Sequence, residues 1–249
     1  MNFQKIFAAG VVVACTALIP AQAGTVLVWS EGNSNGNTAG VAAWLQASGA
    51  FTSVTAIQSD SALSLATLEN YNEVLFFTNA GGDPAATGNV LDSYAATGNR
   101  LVLATFSWAE QGGNTLAGAI ITNGDSPFTA AGGSLYSSAS MASNNGSSFF
   151  AGVNSVTGYF RDDVTLTSGA TLLASWSDGT PMEAIKGNVV AVDLFPDDSA
   201  STVPSGDYQR LFVDSLTGSL NSESTPEPAT LGLIGLALAG LAAARRRTI

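Results

Sequence analysis

The 249-residue chain has no histidine and one cysteine, Cys15. Without histidine it lacks the usual general base near neutral pH and the commonest zinc and copper ligand. Cys15 sits in "VVAC", inside an N-terminal apolar run. The flanking residues make a poor lipobox, so Cys15 reads as a small hydrophobe rather than an acylation site. If the run is removed, no disulfide and no thiolate nucleophile remain. Basic charge is scarce too. Residues 24–224 hold 18 acidic side chains against four basic ones, Arg100, Arg161, Lys186 and Arg210, a balance of −14 against −11 for the whole chain. Such a surface repels nucleic acid and anionic lipid, and it accepts cations, neutral glycans or basic partners.

Both ends read as instructions rather than fold. Lys5, the apolar run Ile6 to Ile19 and "AQAG" make residues 1–23 a signal peptide, to be cut before Gly24 by signal peptidase. The other end reads "STPEPATLGLIGLALAGLAAARRRTI" from Ser224 to Ile249. Its apolar part, Thr230 to Ala244, spans only about 22 Å as a helix. That is short of the ~20 residues a membrane crossing takes, but arginine stems snorkel and lengthen it. Residues 229–249 are therefore expected to form a transmembrane helix with Arg245, Arg246 and Arg247 on the cytoplasmic side. Residues 221–228 are polar and form a linker.

This tail resembles a PEP-CTERM sorting signal, with Pro226, Glu227 and Pro228 in the motif position and the arginines as the basic end. The resemblance implies recognition and cleavage by an exosortase-type membrane transpeptidase. It also implies a Gram-negative host that makes exopolysaccharide and biofilm. The expected course is export across the inner membrane, transient anchoring by the C-terminal helix, then the cell surface or medium.

Residues 24–220 read as one α/β domain. "TVLVW" (25–29), "SVTAI" (53–57), "EVLFFT" (73–78) and "RLVLAT" (100–105) are strand-like, the last two apolar throughout as in strands covered on both faces. Thr38 is placed to cap a helix with a Val41, Trp44, Leu45 stripe, and Leu63 to Leu68 is a short helix. Asp83 and Pro84 open a helix whose face is Val90, Leu91 and Tyr94, and Gly98 closes it. "TLLASW", "MEAI" and "NVVAVDLF" around the turn "SDGTP" suggest a late hairpin on the sheet edge. Asp207 caps a last helix with Tyr208, Leu211, Phe212 and Leu216 on one side. No elements can be placed in the Gly- and Ser-rich stretch 111–148. Alternating strands and helices predict a flavodoxin-like three-layer sandwich with a mostly parallel sheet, the edge hairpin and the C-terminal transmembrane helix. A β-sandwich is the rival architecture.

"TVLVWSEG", "EVLFFTNAGG", "LDSYAATGNRLVLATF" and "LLASWSDGTPMEAIKGNVVAVDLFP" resemble the class I glutamine amidotransferase-like superfamily. The resemblance implies a flavodoxin-like core. Catalytic members pair a cysteine, on a turn after a central strand, with a histidine. The matching turn here is near Phe106 and Ser107, and neither partner exists. No catalytic residue, cofactor or metal ligand set is therefore expected.

A binding crevice is the better expectation. In open parallel sheets, ligands gather beyond the carboxyl ends of the strands. Glu31, Asn33, Asn35, Asn79, Asp83, Ser107, Trp108 and Glu110 all fall there. Polar groups beside a tryptophan suit a sugar, and carboxylates with amides suit Ca2+. The glycines at 32, 36 and 40 fit no phosphate-loop pattern. The acid pairs Asp162-Asp163 and Asp197-Asp198 read as solvated turns. The expected protein is a non-enzymatic surface or matrix component linked to extracellular polysaccharide. The alternatives are a carboxylate-based glycan hydrolase and a small-ligand or Ca2+ binding module.

Overall fold

The computed structural model describes residues 23–32, 37–79, 81–109, 115–196 and 204–219. Strand β1 (Ala23–Glu31) is followed by α1 (Thr38–Ala47), β2 (Phe51–Gln58), α2 (Leu65–Leu68), β3 (Glu73–Thr78), α3 (Pro84–Ala96) and β4 (Arg100–Ala104). Then come α4 (Ala119–Thr122), β5 (Phe128–Asn144), β6 (Val156–Leu166), β7 (Thr171–Trp176), β8 (Pro181–Lys186), β9 (Val189–Val192), β10 (Ser205–Gly206) and α5 (Tyr208–Thr217).

The strands form one sheet in the order β10-β6-β5-β7-β8-β9-β4-β3-β1-β2. From β2 to β9 the pairings are parallel. From β9 outward to β10 they are antiparallel. Antiparallel pairings thus outnumber parallel ones five to four, which corrects the expectation of a mostly parallel flavodoxin-like sheet. The late hairpin is corrected too: β7 and β8 lie in the middle of the sheet, between β5 and β9. The unplaced stretch supplies the reason. Residues 128–144 are a 17-residue strand whose pairing with β6 builds a second, antiparallel half.

The sequence logic of the parallel half is visible in its side chains. Val26 and Val28 face one layer with Val41 and Leu45 of α1 and Leu211 and Phe212 of α5. Leu27 and Trp29 face the other, with Leu68 of α2, Leu91 and Tyr94 of α3 and Ile120 of α4. Successive strand residues point to opposite faces, so two covered faces demand an apolar run. Asp83 accepts from the N–H of Ala86 at 3.2 Å, and Pro84 opens α3. Asn37, not Thr38, caps α1, accepting from Gly40 N–H at 3.0 Å. Among the described residues no helix is long and apolar enough to cross a membrane. The described residues therefore supply no transmembrane helix, and the anchoring step expected of one is corrected to a sorting step without an anchor shown in the structure. Residues 229–249 themselves lie outside the described residues, as do the signal peptide and the linker.

Candidate functional site

Three of the expected crevice residues meet at the carboxyl ends of β1 and β3. Glu31 ends β1 and is 2% exposed. Its carboxylate accepts from the Thr87 hydroxyl, one turn into α3. Asn79 follows β3 and donates its backbone N–H to Glu31 O at 2.9 Å. Asp83 stands exposed at the start of α3. Asp60 joins from the end of β2, accepting from Gly32 N–H at 3.0 Å. Burial pushes the Glu31 carboxyl up to about 7; Thr87 opposes this, and Asp83 and Asp60 add to it. Glu31 can therefore give or take a proton near neutrality.

Gly82 makes this packing possible. Its φ is +102°, and a Cβ there would collide with the Glu31 carboxylate. Gly82→Ala is expected to cost at least ~1–2 kcal/mol. Thermal unfolding would show it as a melting midpoint several degrees lower, and an unchanged midpoint would contradict the packing described.

Ser107 and Trp108 do not join the crevice. Ser107 is fully buried, and its hydroxyl donates to Ala104 O at 2.6 Å. Trp108 is 3% exposed, packs edge-on against Phe128 at 5.1 Å, and donates Nε1–H to Ser126 Oγ at 2.9 Å. It offers no open face to a sugar. Asn33, Asn35 and Glu110 lie outside the described residues.

A second acid cluster closes the ends of β4 and β9 from inside. Asp162 lies fully buried in β6, not in a solvated turn. Its Oδ2 accepts from the N–H groups of Trp108 (3.1 Å) and Ala109 (3.2 Å). Asp193, just past β9, accepts from Asp162 N–H at 2.6 Å, Thr105 Oγ1 at 3.1 Å and Trp176 Nε1 at 3.1 Å. Burial pushes Asp162 up to about 7 and Asp193 well above the usual carboxylate range, the neighbouring Asp162 charge adding to the latter. Beside them Arg161 is wholly buried. It pairs with Asp178 at 2.8 Å, donates to Ser137 O and Thr180 Oγ1, and lies over the Trp176 ring at 5.4 Å. The β6 backbone also meets the chain leaving β9, where Phe195 N–H donates to Phe160 O at 3.2 Å. The antiparallel half is thus stapled over the strand ends where Ser107 sits. Asp197 and Asp198 lie outside the described residues.

Above this staple, Phe106, Phe160 and Phe195 form an aromatic cluster with ring centroids 5.4–6.3 Å apart. Tyr136 of β5 packs on it and is 50% exposed. None of these roles was foreseen. A period-two signal was present: Val156, Gly158, Asp162 and Val164 of "VTGYFRDDVTL" all turn inward.

Two carboxyls meet at a cavity of about 420 Å³ near the far end of β9, lined by Asp92, Asp125, Lys186 and Asn188. Burial, then the neighbouring Asp125 carboxyl, raises Asp92 above the usual carboxylate range. Lys186 is committed to Gly124 O at 2.6 Å. Among the described residues no group of three or more acidic or cysteine side chains is placed to hold a metal.

The family comparison matches one end of the chain. A model described as the PEP-CTERM protein-sorting motif matches residues 224–247. The chain therefore carries a sorting motif of the kind that implies exosortase-linked sorting outside the cytoplasm. No curated protein sequence matches the chain. Among solved structures, a cytoplasmic protein from Salmonella typhimurium aligns with a TM-score of 0.54 and 10% identity, over 77% of this chain and 97% of its own. A ThuA-like protein from Parabacteroides merdae aligns with a TM-score of 0.53 and 12% identity, over 79% and 89%. A ThuA-like protein from Bacteroides uniformis gives 0.51 and 10%, over 81% and 93%. At these identities the likeness is one of fold alone. None of these neighbours is named for the class I glutamine amidotransferase-like superfamily, so that expected kinship gains no support.

Proposed function

We propose that the domain is a non-enzymatic binding or structural component of the cell surface or extracellular matrix, associated with extracellular polysaccharide. In this reading signal peptidase removes residues 1–23, and an exosortase-type transpeptidase cuts near Pro226-Glu227-Pro228. The observation that carries the non-enzymatic reading is Ser107. It occupies the turn after β4 where the resemblance in sequence would put a nucleophile, yet it is fully buried and its hydroxyl is spent on the Ala104 carbonyl. No histidine exists to activate it. The fold also suits processing at both ends. A cut between Ala23 and Gly24 removes only the Ala23↔Phe51 pair from the β1–β2 ladder. Among the described residues the last helix ends at Thr217, ahead of the motif.

Co-sedimentation of the protein with exopolysaccharide from its host tests the reading. The expected result is binding without release of new reducing ends. Time-dependent release that disappears in Glu31→Gln would replace it with the hydrolase reading.

A further inference from the structure

Helices α1 and α5 leave between them a cleft of about 350 Å³, on the helical layer rather than at the strand ends. Such a volume lies within the range of small-ligand sites, about 300–1,000 Å³. Trp44 and Ala47 stand one turn apart on α1, and Gln209, Arg210 and Val213 line the cleft from α5. The small side chains of Ala47 and Ala50 leave room beside the indole. The indole is held from behind: Tyr208 meets it edge-on at 6.2 Å, and Phe212 at 6.1 Å with a 49° tilt. The polar rim is held too. Gln209 Nε2 donates to Tyr208 Oη at 3.1 Å, which leaves its Oε1 as an acceptor. Arg210 donates Nε–H to Asp214 at 2.8 Å while its side chain stays 52% exposed.

These groups select a ligand class by elimination. The walls are aromatic and aliphatic, and the rim offers a carboxamide and a guanidinium. An apolar tail would strip water from that rim without replacing its hydrogen bonds, which is costly. An anion meets a guanidinium already neutralised by Asp214 and a domain of balance −14. A cation finds no carboxylate in the lining, whose one charged side chain is Arg210. A sugar ring fits both surfaces: its C–H face packs on an aromatic wall and its hydroxyls both give and accept at the rim. We propose that the α1–α5 cleft binds a neutral sugar unit. The inference rests on the reading of the domain as a polysaccharide-associated component and names the place and chemistry of the contact.

Tryptophan fluorescence of the full chain tests it directly. Of the four tryptophans, Trp29, Trp108 and Trp176 are 0–3% exposed, which leaves Trp44 as the accessible reporter. Glucose, galactose, mannose and N-acetylglucosamine are the probes, with glucuronate as the charged comparison and octanoate as the apolar one. At least one neutral sugar is expected to change the emission saturably. Gln209→Ala should weaken that sugar about tenfold, the loss of one hydrogen-bonded rim contact. It should leave the melting midpoint unchanged, since Gln209 lies on the outer face of α5. Calorimetric titration of Trp44→Ala, which lacks the reporter, should show no binding. Silence with all four neutral sugars, tighter binding of glucuronate or octanoate, or an unaltered response in Gln209→Ala overturns the inference. If the cleft is silent while the protein still sediments with host polysaccharide, the cleft assignment alone fails. If both are negative, the polysaccharide-associated reading fails with it.

Discussion

The domain is expected to melt at a higher temperature near pH 5 than near pH 8. Four buried carboxyls drive this. Burial pushes Glu31 and Asp162 up to about 7, Glu183 to about 8 and Asp214 to about 6. Arg210 opposes the shift at Asp214, and Ser215 and Arg100 oppose it at Glu183. A carboxyl whose folded value is raised favours folding while protonated. Its stabilisation is complete below the ordinary carboxylate range and is lost progressively as pH rises from there to the folded value. Each pH unit of that span costs about 1.4 kcal/mol per group. The midpoint is therefore expected to fall by roughly ten degrees or more between pH 5 and pH 8. The opposite trend sets in only in stronger acid. Despite some burial, Asp178 is held below the usual range by Thr180 and Arg161, and Asp207 is held there by the N–H groups of Asn154 and Ser155. Glu183→Gln should flatten the curve, because Glu183 is wholly buried with Oε2 unpartnered among the described residues. Calorimetric scans across this window check both statements. A midpoint that is flat or rises from pH 5 to 8 contradicts them.

The second large effect is expected at Asp162. Asp162→Ala leaves the N–H groups of Trp108 and Ala109 buried without an acceptor and loosens β6 from the strand ends. The expected cost is about 2–4 kcal/mol. Asp162→Asn keeps an acceptor for both groups and puts an amide where Oδ1 is now buried and unpartnered. It should lie within ~1 kcal/mol of the parent near pH 5. At pH 8 it should be the more stable of the two, because its folded state has no charge to bury. Denaturant unfolding of both variants at the two pH values tests this. Equal losses in Ala and Asn would show that the carboxylate's hydrogen bonds do not hold the antiparallel half in place.

The contrast between the legible and illegible parts of the fold has a physical cause. The unit from Asp83 to Ala104 could be read because local chemistry marks each boundary. An acidic cap and a proline open the helix, Gly98 at φ +90° closes it, and a strand buried on both faces follows. Strand β5 carries no such marks. Its sequence, "FTAAGGSLYSSASMASN", is mostly exposed, so neither apolar alternation nor turn chemistry declares it. It is a strand because β6 and β7 pair with it, and pairing is a non-local fact. Missing it shifted everything that depends on it. Without β5 the hairpin reads as an edge and Asp162 as solvated, whereas β7 and β8 are central and Asp162 is buried. At the crevice, Glu31, Asn79 and Asp83 stand together at the strand ends because their places follow directly from strand boundaries. Trp108 and Ser107 obey the same rule in sequence but turn into the core, drawn by Phe128 and by the Ala104 carbonyl.

The sorting motif at 224–247 and the early start of β1 make one measurement the most direct. The host is fractionated and the intact mass of the protein is determined in the cytoplasm, membranes, cell surface and medium. The expected result is a surface or medium species that begins at Gly24 and ends near Pro226-Glu227-Pro228. A full-length chain confined to the cytoplasm, with residues 1–23 and 224–249 still attached, would contradict an exported surface or matrix component.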